Sequence, residues 1–571
     1  MLLKPTSNLS PSMLKTLITH RKTPSFFLNF SSCRHPSPKP LNPTTTTRRL
    51  SHHLSTTAAA VPHNHRSPPI QKDRSQKTNQ RQESQMGLKA ERRARRNSPS
   101  GTLLSKLCSC SKFNDTQEAL RLYEEALTND VPLTVEHYNK LLYLCSSSSS
   151  DLDLKRGFEI YKEMGEGKIV PNEATFTTMA RLAAAKQDPE MAFDLVRRMK
   201  EEGGISPKLR SYVPALSGFC KKRMADKAYE VDAYMIENGV AAEEGELAML
   251  LGVSSVSGRA DKVYEMLHRL RAGVRQVGEE TLALIEDWFG SDGAAGVGEV
   301  DWDAEKVREA VLERGGGWHG QGWFGSGKWR VRRTKMDGKG VCQSCGEKLV
   351  SVDLDPLETE NFATSLSTLA CQRETRADFL RFQEWLQKHG PFDAVVDGAN
   401  VGYLKHYFDF NQLKSAVNLT RKLSPTNRLP LVILHSGRVR GQHTGNSRNK
   451  TALQQWNESG ALYVTPQGSN DDWYWLYAAI SSKCLLVTND EMRDHLFELL
   501  GTNFFPRWKE KHQVRLSLGS NGLQFHMPPP YSIVIQESER GRWHIPSVCE
   551  DDLGTNREWV CAQRDQVMAL P

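Results

Sequence analysis

The chain has 571 residues, with 75 Lys+Arg against 67 Asp+Glu. That length allows roughly three to five domains. Its apolar fraction of 38%, with 41 Gly, lies at the low edge of globular usage, so part of the chain has no core to bury. No stretch approaches the ~18 uncharged apolar residues that a membrane helix needs, which excludes a transmembrane protein.

Charge is unevenly placed. Residues 1–72 hold ten Lys/Arg and no acid, whereas residues 97–571 hold 57 basic and 64 acidic residues. The body's global field therefore repels phosphate, and nucleic-acid contact must use local basic patches. The 11 Cys are scattered, and no compact apolar segment with a small-residue cleavage site opens the chain. This argues against a secreted disulfide framework and for reduced thiols with a metal site.

Residues 1–95 are rich in Ser, Thr, Pro, Arg and His, as in Thr44-Thr45-Thr46-Thr47-Arg48-Arg49. Such a segment buries too little apolar surface to offset its chain entropy. Basic, hydroxyl-rich and acid-free over most of its length, it reads as a disordered organelle transit peptide and linker. Composition does not separate mitochondrion from chloroplast.

Residues 96–290 carry apolar residues at helical spacing, and the pattern repeats. Tyr138, Phe176, Tyr212, Leu247 and Leu282 open successive units, and Ala119, Gly157, Ala192, Ala228 and Val263 open the second helix of each. Met164, Met199, Met235 and Leu270 close them. Independent markers keeping a period near 35 residues predict a solenoid of helix pairs. The longer first step is assigned to an inserted loop at Ser146–Ser150. The period, with Pro171-Asn172 and Pro207-Lys208 between units, resembles the pentatricopeptide repeat, which reads RNA from its first helices. In that resemblance Asn139 and Thr177 sit at base-contacting positions, and Val213 departs from a polar reader. A tetratricopeptide-type protein-binding array fits the period and markers less well.

Residues 291–354 are Gly- and Trp-rich. Gly322-x-x-x-x-Gly327-Lys328 mimics a phosphate loop, but Trp329 replaces the hydroxyl that must hold Mg²⁺, and no strand precedes it. Cys342-x-x-Cys345 reads as a zinc knuckle that supplies two of four ligands. Completing candidates lie about 200 residues on: His544, Cys549 and Cys561. Such a split site would tie this central region to residues 530–571.

Residues 355–529 alternate helix and apolar strand, which predicts an α/β domain with a mainly parallel sheet. Expected strands are Phe392–Val396, Leu431–Leu434, Ala461–Thr465 and Cys484–Thr488. Active sites of such sheets form beyond the C-terminal strand ends. Asp397, Asp471, Asp472 and Asp490 all fall there. Clustered carboxylates need cations, and short oxygen ligands suit Mg²⁺ or Mn²⁺. Two such ions support phosphodiester hydrolysis. Taken singly, an Asp after a strand caps the next helix, a reading that fits Asp472 best. Arg438, Arg440, Arg448 and Lys450 are candidate phosphate contacts in a polar loop. Arg507, Lys509 and Lys511, interleaved with Phe504, Phe505 and Trp508, mark either an RNA-facing surface or a packed turn. His495 reads as a surface histidine.

Four motifs are specific: Gly-Gly-Gly-Trp-His-Gly-Gln-Gly-Trp at 315–323, Phe-Asp-Ala-Val-Val-Asp-Gly-Ala-Asn at 392–400, Gly-Ser-Asn-Asp-Asp-Trp-Tyr-Trp at 468–475 and Leu-Val-Thr-Asn-Asp-Glu-Met-Arg-Asp-His at 486–495. With them the chain resembles the plant organellar protein-only RNase P family over roughly 100–561. The resemblance implies a pentatricopeptide arm, a split zinc-binding central domain and an NYN (PIN-like) metallonuclease domain. It implies an Mg²⁺-dependent endoribonuclease that removes the 5′ leader of precursor tRNA without an RNA subunit. The implied catalytic metal ligands are Asp397, Asp471, Asp472 and Asp490; the implied zinc ligands are Cys342, Cys345, His544 and Cys561, which leaves Cys549 aside. A monomer, with no membrane partner, in mitochondrion, chloroplast or both, is the expectation. The rivals are a nuclease of the same fold acting on messenger or other organellar RNAs, a non-catalytic processing factor, and a protein-interaction scaffold, which the acidic rim does not explain.

Overall fold

The computed structural model describes residues 96–440, 446–490, 492, 504–520, 522–549 and 557–564. Residues 1–95, expected to be a transit peptide and linker, and His495 lie outside them.

The described part opens with helix pairs. They are α1 (Pro99–Phe113) with α2 (Thr116–Thr128), α3 (Val135–Ser147) with α4 (Asp151–Glu166), and α5 (Glu173–Ala185) with α6 (Pro189–Glu201). Then come α7 (Leu209–Lys221) with α8 (Ala225–Glu237), and α9 (Glu244–Val256) with α10 (Ala260–Arg269). Short polar side chains start several of them: Ser98, Asp115, Asn172 and Asp188 each accept a hydrogen bond from a backbone N–H of the first turn. Gln187, Arg223 and Gly258 turn the chain between paired helices with φ of 61°, 57° and 67°. Their equivalent register shows the repeat in the backbone itself. Every repeat marker predicted from the sequence is buried.

The expected Ser146–Ser150 loop is a correction. Ser146 and Ser147 belong to α3, and only Ser148–Ser150 connect. The extra residues lengthen α4 to 16 residues where α6 and α8 have 13. Helix extension satisfies their backbone groups internally, which a longer exposed loop would leave to water.

A π-helical turn (Leu270–Val274) leads to α11 (Glu279–Gly290), α12 (Asp292–Ala295) and α13 (Ala304–Glu313), and then to β1 (Trp329–Thr334). The nuclease-like part starts with α14 (Pro356–Arg373) and α15 (Arg376–His389). It continues through β2 (Ala394–Asp397), α16 (Gly398–Gly402), α17 (Phe410–Leu423), β3 (Leu431–His435), α18 (Ser436–Val439) and α19 (Ser447–Glu458). After these come β4 (Leu462–Thr465), α20 (Asp471–Ser481), β5 (Leu485–Val487), α21 (Phe504–His512), β6 (Gln513–Gly519) and β7 (Gly522–His526). The chain returns through β8 (Gln536–Glu537), β9 (Trp543–Pro546) and β10 (Trp559–Arg564).

Two sheets result. The larger has strand order β4-β3-β2-β5-β6-β7, parallel except for the last pair. Val395, Ile433 and Leu486 pack one face against α14, α15, α20 and α21. Val396, Val432, Leu434 and Val487 pack the other against α17 and α19. This alternation makes a three-layer sandwich. The smaller sheet, β1-β10-β9-β8, is antiparallel and joins residues more than 200 positions apart. Trp318, Trp323, Trp329 and Trp543 lie in the same core as the last solenoid helices. Arg275, buried, and Glu510, half-buried, pair across to α21.

Candidate active site and metal centres

The larger sheet reverses direction around β2: the chain passes to β3 and β4 on one side, then returns to β5 on the other. A crevice beyond the C-terminal ends of β2 and β5 is where such sheets place ligands. Asp397 ends β2, and Asp490 follows β5.

Asp397 is 3% exposed. Its Oδ1 accepts from the Asn400 N–H at 3.0 Å, and its Oδ2 accepts from the Thr488 hydroxyl at 2.8 Å. Gly398 stands behind it, where a Cβ would lie 2.6 Å from the Leu434 side chain and 2.7 Å from the Ile433 carbonyl. Thr488 also accepts from the Asp490 N–H at 3.0 Å, and Asp490 Oδ1 accepts from the Met492 N–H at 2.7 Å. The 488–490 turn is anchored from β6: Gln513 donates to the carbonyls of Thr488 and Asp490, both at 3.0 Å. Asn489 imitates a strand, with its amide donating to Leu516 O and accepting from Leu516 N, both at 2.7 Å.

Asp471 and Asp472 occupy the first turn of α20. The helix cap is Asn470, whose Oδ1 accepts from the Asp472 N–H at 3.1 Å. The capping reading of Asp472 is therefore overturned. Asn470 is itself tethered through its N–H to Glu374 Oε1 at 3.0 Å. One carboxylate oxygen of Asp471, Oδ2, is buried without any hydrogen-bond partner among the described residues.

The electrostatics follow from burial. Burial raises Asp397 to about 7 against the pull of the Asn400 N–H, and the charges of Asp471 and Asp472 add to the rise. Burial, then the charges of Asp471 and Asp490, raises Asp472 to about 6. Burial also raises Asp471, with His435 and Arg438 pulling it down. Arg438 stacks over the rings of Tyr403 and Phe408 at 4.8 and 5.8 Å. The four acids thus share one rim and repel one another. One buried and three half-buried carboxylates, with Asp397, Asp471 and Asp472 held above their ordinary range and one oxygen orphaned, are a donor set that fits hard divalent cations.

The second cluster is tighter. Cys342, Cys345, His544 and Cys561 have ligand atoms that all lie within 4.8 Å of one another. A tetrahedral thiolate site spans ~3.8 Å between sulfurs, given Zn–S near 2.3 Å. His544 and Cys561 are direct cross-strand partners on β9 and β10. The knuckle is folded by its own backbone: the Cys342 N–H donates to Glu347 O, and the Gly346 N–H donates to Cys342 O, both at 2.8 Å. Cys345 Sγ lies 3.2 Å from His544 Nε2. Cys549 is outside the set. Among the described residues this is the one group of three or more Cys, His, Asp or Glu gathered so tightly. The rim carboxylates are not drawn to that spacing.

In the arm, Asn139 is half-buried and bound to the next repeat. It donates to Asn172 Oδ1 at 3.1 Å and accepts from the Thr175 hydroxyl at 2.7 Å. Thr177 is 8% exposed, and its hydroxyl meets Ser211 at 2.7 Å and Glu173 at 3.1 Å. Val213 is half-buried. Arg440, Arg448 and Lys450 are exposed. The reading of residues 504–511 as an RNA-facing surface is corrected for its arginine and its terminal lysine. Phe504, Phe505 and Trp508 are core, Arg507 bonds Glu358 at 2.5 and 2.6 Å, and Lys511 pairs with Asp353 at 3.0 Å.

Sequence reasoning missed Asn400, Thr488, Asn489 and Gln513, which hold the carboxylates. Asn400, Thr488 and Asn489 lie inside the quoted motifs beside the acids, and that adjacency was the available signal.

Two family descriptions match the chain: "Protein-only RNase P" over residues 336–561 and "Pentacotripeptide-repeat region of PRORP" over residues 90–296. The chain is 58% identical to proteinaceous RNase P 1, chloroplastic/mitochondrial, of Arabidopsis thaliana, over 84% of this chain and 85% of that one. It is 47% identical to proteinaceous RNase P 2 of the same plant, over 83% and 93%. The crystal structure of nuclear proteinaceous RNase P 2 from A. thaliana superposes with a TM-score of 0.67 at 47% identity, covering 82% of this chain and all of that one. A helical-repeat arm, a metal-fitting Cys/His set and an acidic rim on a parallel sheet occur here in one chain, and with these similarities the chain belongs to the protein-only RNase P family.

Proposed function

We propose that the protein is an organellar endoribonuclease that removes the 5′ leader of precursor tRNA, acting as a monomer without an RNA subunit, in mitochondria, chloroplasts or both. The observation that carries the catalytic reading is the rim of Asp397, Asp471, Asp472 and Asp490 at the sheet's switch point, with two of the acids held near neutrality. In this reading residues 1–95 are the transit peptide and linker, and 96–290 grip RNA. Residues 291–354 with 530–571 form the central domain, and 355–529 cut. Both base-contact candidates have their polar groups engaged within the arm, and Asn139, half-buried, is the more accessible of the two.

The four Asp are the residues that would hold Mg²⁺ or Mn²⁺. Such ions, when bound, stabilise charge on the phosphate oxygens and lower the pKa of a water. Thr488 and the Asn400 N–H fix the orientation of the Asp397 carboxylate. Arg438, held over two rings, would donate to a non-bridging phosphate oxygen. A rim carboxylate not engaged by a cation would be positioned to take the proton of the attacking water. In-line attack then leaves a 5′-phosphate on the tRNA and a 3′-hydroxyl on the leader. Cys342, Cys345, His544 and Cys561 would hold Zn²⁺, which fastens the C-terminal strands to the knuckle and stiffens the link between arm and nuclease.

Substrate choice is tested by competition. A tRNA-shaped precursor should be cut at one site, and excess unlabelled mature tRNA should inhibit it, whereas a linear RNA of equal length should not. Equal cutting of the linear RNA would replace this reading with a nuclease for other organellar RNAs.

A further inference from the structure

The central domain carries a charge pattern that neither the acidic rim nor the Cys/His set uses. Between Lys328 and Lys339 the chain places six cations, Lys328, Arg330, Arg332, Arg333, Lys335 and Lys339, against one acid, Asp337. All six are exposed. They lie on and just beyond β1, which is an edge strand.

The strand's two faces differ. Trp329 is buried, and Arg333, on the same face, is neutralised by Glu279, Glu286 and Glu558. Arg330 and Arg332 alternate onto the opposite face. Asp337 is taken up locally, accepting from the N–H groups of Lys339 and Val341, both at 2.8 Å. Lys328, Arg332, Lys335 and Lys339 have no carboxylate within ion-pair distance among the described residues. Lys348, exposed on the knuckle strand paired with Val341, adds another cation.

Charged residues on an edge strand also prevent edge-to-edge pairing. That purpose is met by one or two charges of either sign. It does not account for Lys328, Arg332, Lys335 and Lys339, four exposed cations close together in a body that is net acidic, where like charges repel and a polyanion would offset them.

We propose that the β1 edge and the zinc-knuckle hairpin form a second RNA-contact surface, which binds phosphates of the precursor between the part held by the arm and the part being cut. This rests on the tRNA-processing reading above. A substrate gripped by both outer parts must pass the domain that joins them, and among the described residues of that domain this edge carries the densest run of exposed cations. Contacts of this kind are electrostatic and independent of base sequence.

The test uses the full-length chain and a 5′-labelled precursor tRNA, with Ca²⁺ replacing Mg²⁺ during binding. Dissociation constants are measured from 50 to 300 mM salt for wild type, Arg332→Gln/Lys335→Gln/Lys339→Gln and the charge-preserving Arg332→Lys/Lys335→Arg/Lys339→Arg. The neutral variant should bind about tenfold more weakly near physiological salt, and its log–log salt slope should fall by about two. Its single-turnover cleavage at saturating protein should stay within twofold of wild type, and the charge-preserving variant should behave as wild type. Zinc content and melting temperature verify folding; if the triple variant fails there, Lys335→Gln and Lys339→Gln are measured singly. An unchanged slope and affinity in folded variants overturns the proposal. So does an equal loss from Lys155→Gln/Lys162→Gln/Lys227→Gln on the solenoid's second helices, which would show a net-charge effect only. Failure of the wild type to bind or cut the precursor would overturn the tRNA reading itself.

Discussion

Replacing Asp397 by Asn should stabilise the cation-free nuclease domain while abolishing cleavage. The site is 3% exposed, and the Asn side chain still accepts from the Asn400 N–H. Its new NH₂ faces the Thr488 hydroxyl, which has lone pairs to accept it. The number of hydrogen bonds is conserved, and the buried charge is removed. In the folded state Asp397 is raised from its ordinary 3.8 to about 7, so that state binds the proton more tightly than the unfolded chain. Wild-type stability is therefore lost as pH rises from about 4 to about 7, by at most about 4 kcal/mol at full ionisation. Asn does not titrate. The variant and wild type should be equally stable near pH 4, and the variant should gain about 2–4 kcal/mol by pH 8 in EDTA. The chain has several folding units, so the assay is amide hydrogen exchange on peptides covering Ala394–Asp397 and Leu485–Val487. Exchange at pH 8 should slow by at least ~30-fold, since 1.4 kcal/mol is tenfold. Mg²⁺ should protect wild type and leave the variant unchanged. A variant less protected than wild type at pH 8, or a difference independent of pH, would refute the idea that Asp397 is a buried charge awaiting a cation.

Other expectations follow from the same geometry. Cys345→Ser should release zinc and lower the stability of the β9–β10 pair by ~3 kcal/mol or more, read as loss of bound zinc and a lower first melting transition; retained zinc would sink the split site. Gly398→Ala drives a Cβ against the Ile433 carbonyl, which cannot yield, and should cost ~1–3 kcal/mol and most of the activity through displacement of Asp397; wild-type cleavage would contradict it. Arg438→Ala should lower kcat by ~10- to 100-fold while precursor affinity, set largely by the arm, changes less than threefold; an equal loss in both would make it a binding residue only. Protons compete with cations at Asp397 and Asp472, raised to about 7 and about 6, so the Mg²⁺ concentration for half-maximal cleavage should fall steeply between pH 6 and 7.5; a pH-independent requirement would argue against protonated ligands.

The parts legible in the sequence were those with a period or a strand-end position. Tyr138, Phe176, Tyr212, Leu247 and Leu282 recur because each repeat buries the same contact, and all are core. The apolar run at 431–434 is a strand with both faces covered, and the run at 461–465 forms the neighbouring edge strand, where Val464 is exposed. Asp397 and Asp490 were legible as acids ending such runs. The β1, β6–β7 and β10 strands were not, because their alternation is mixed with charge and their partners lie far off: Arg332 pairs with Cys561. The end of residue recruitment at Thr177 was invisible for a similar reason, since Ser211, a repeat away, takes its hydroxyl. The α4 extension was missed because five consecutive Ser read as a loop by propensity, while packing of Leu154, Ile160 and Met164 pulls the upstream turn into helix.

The measurement that tests the central claim most directly is cleavage of a 5′-labelled precursor tRNA by the full-length chain. It is run with Mg²⁺, with EDTA, and with Asp471→Ala/Asp472→Ala. The account predicts one Mg²⁺-dependent cut at the mature 5′ end, a 5′-phosphate on the tRNA, and no product from the variant despite near-normal binding. Cleavage that survives EDTA or the double substitution would contradict it.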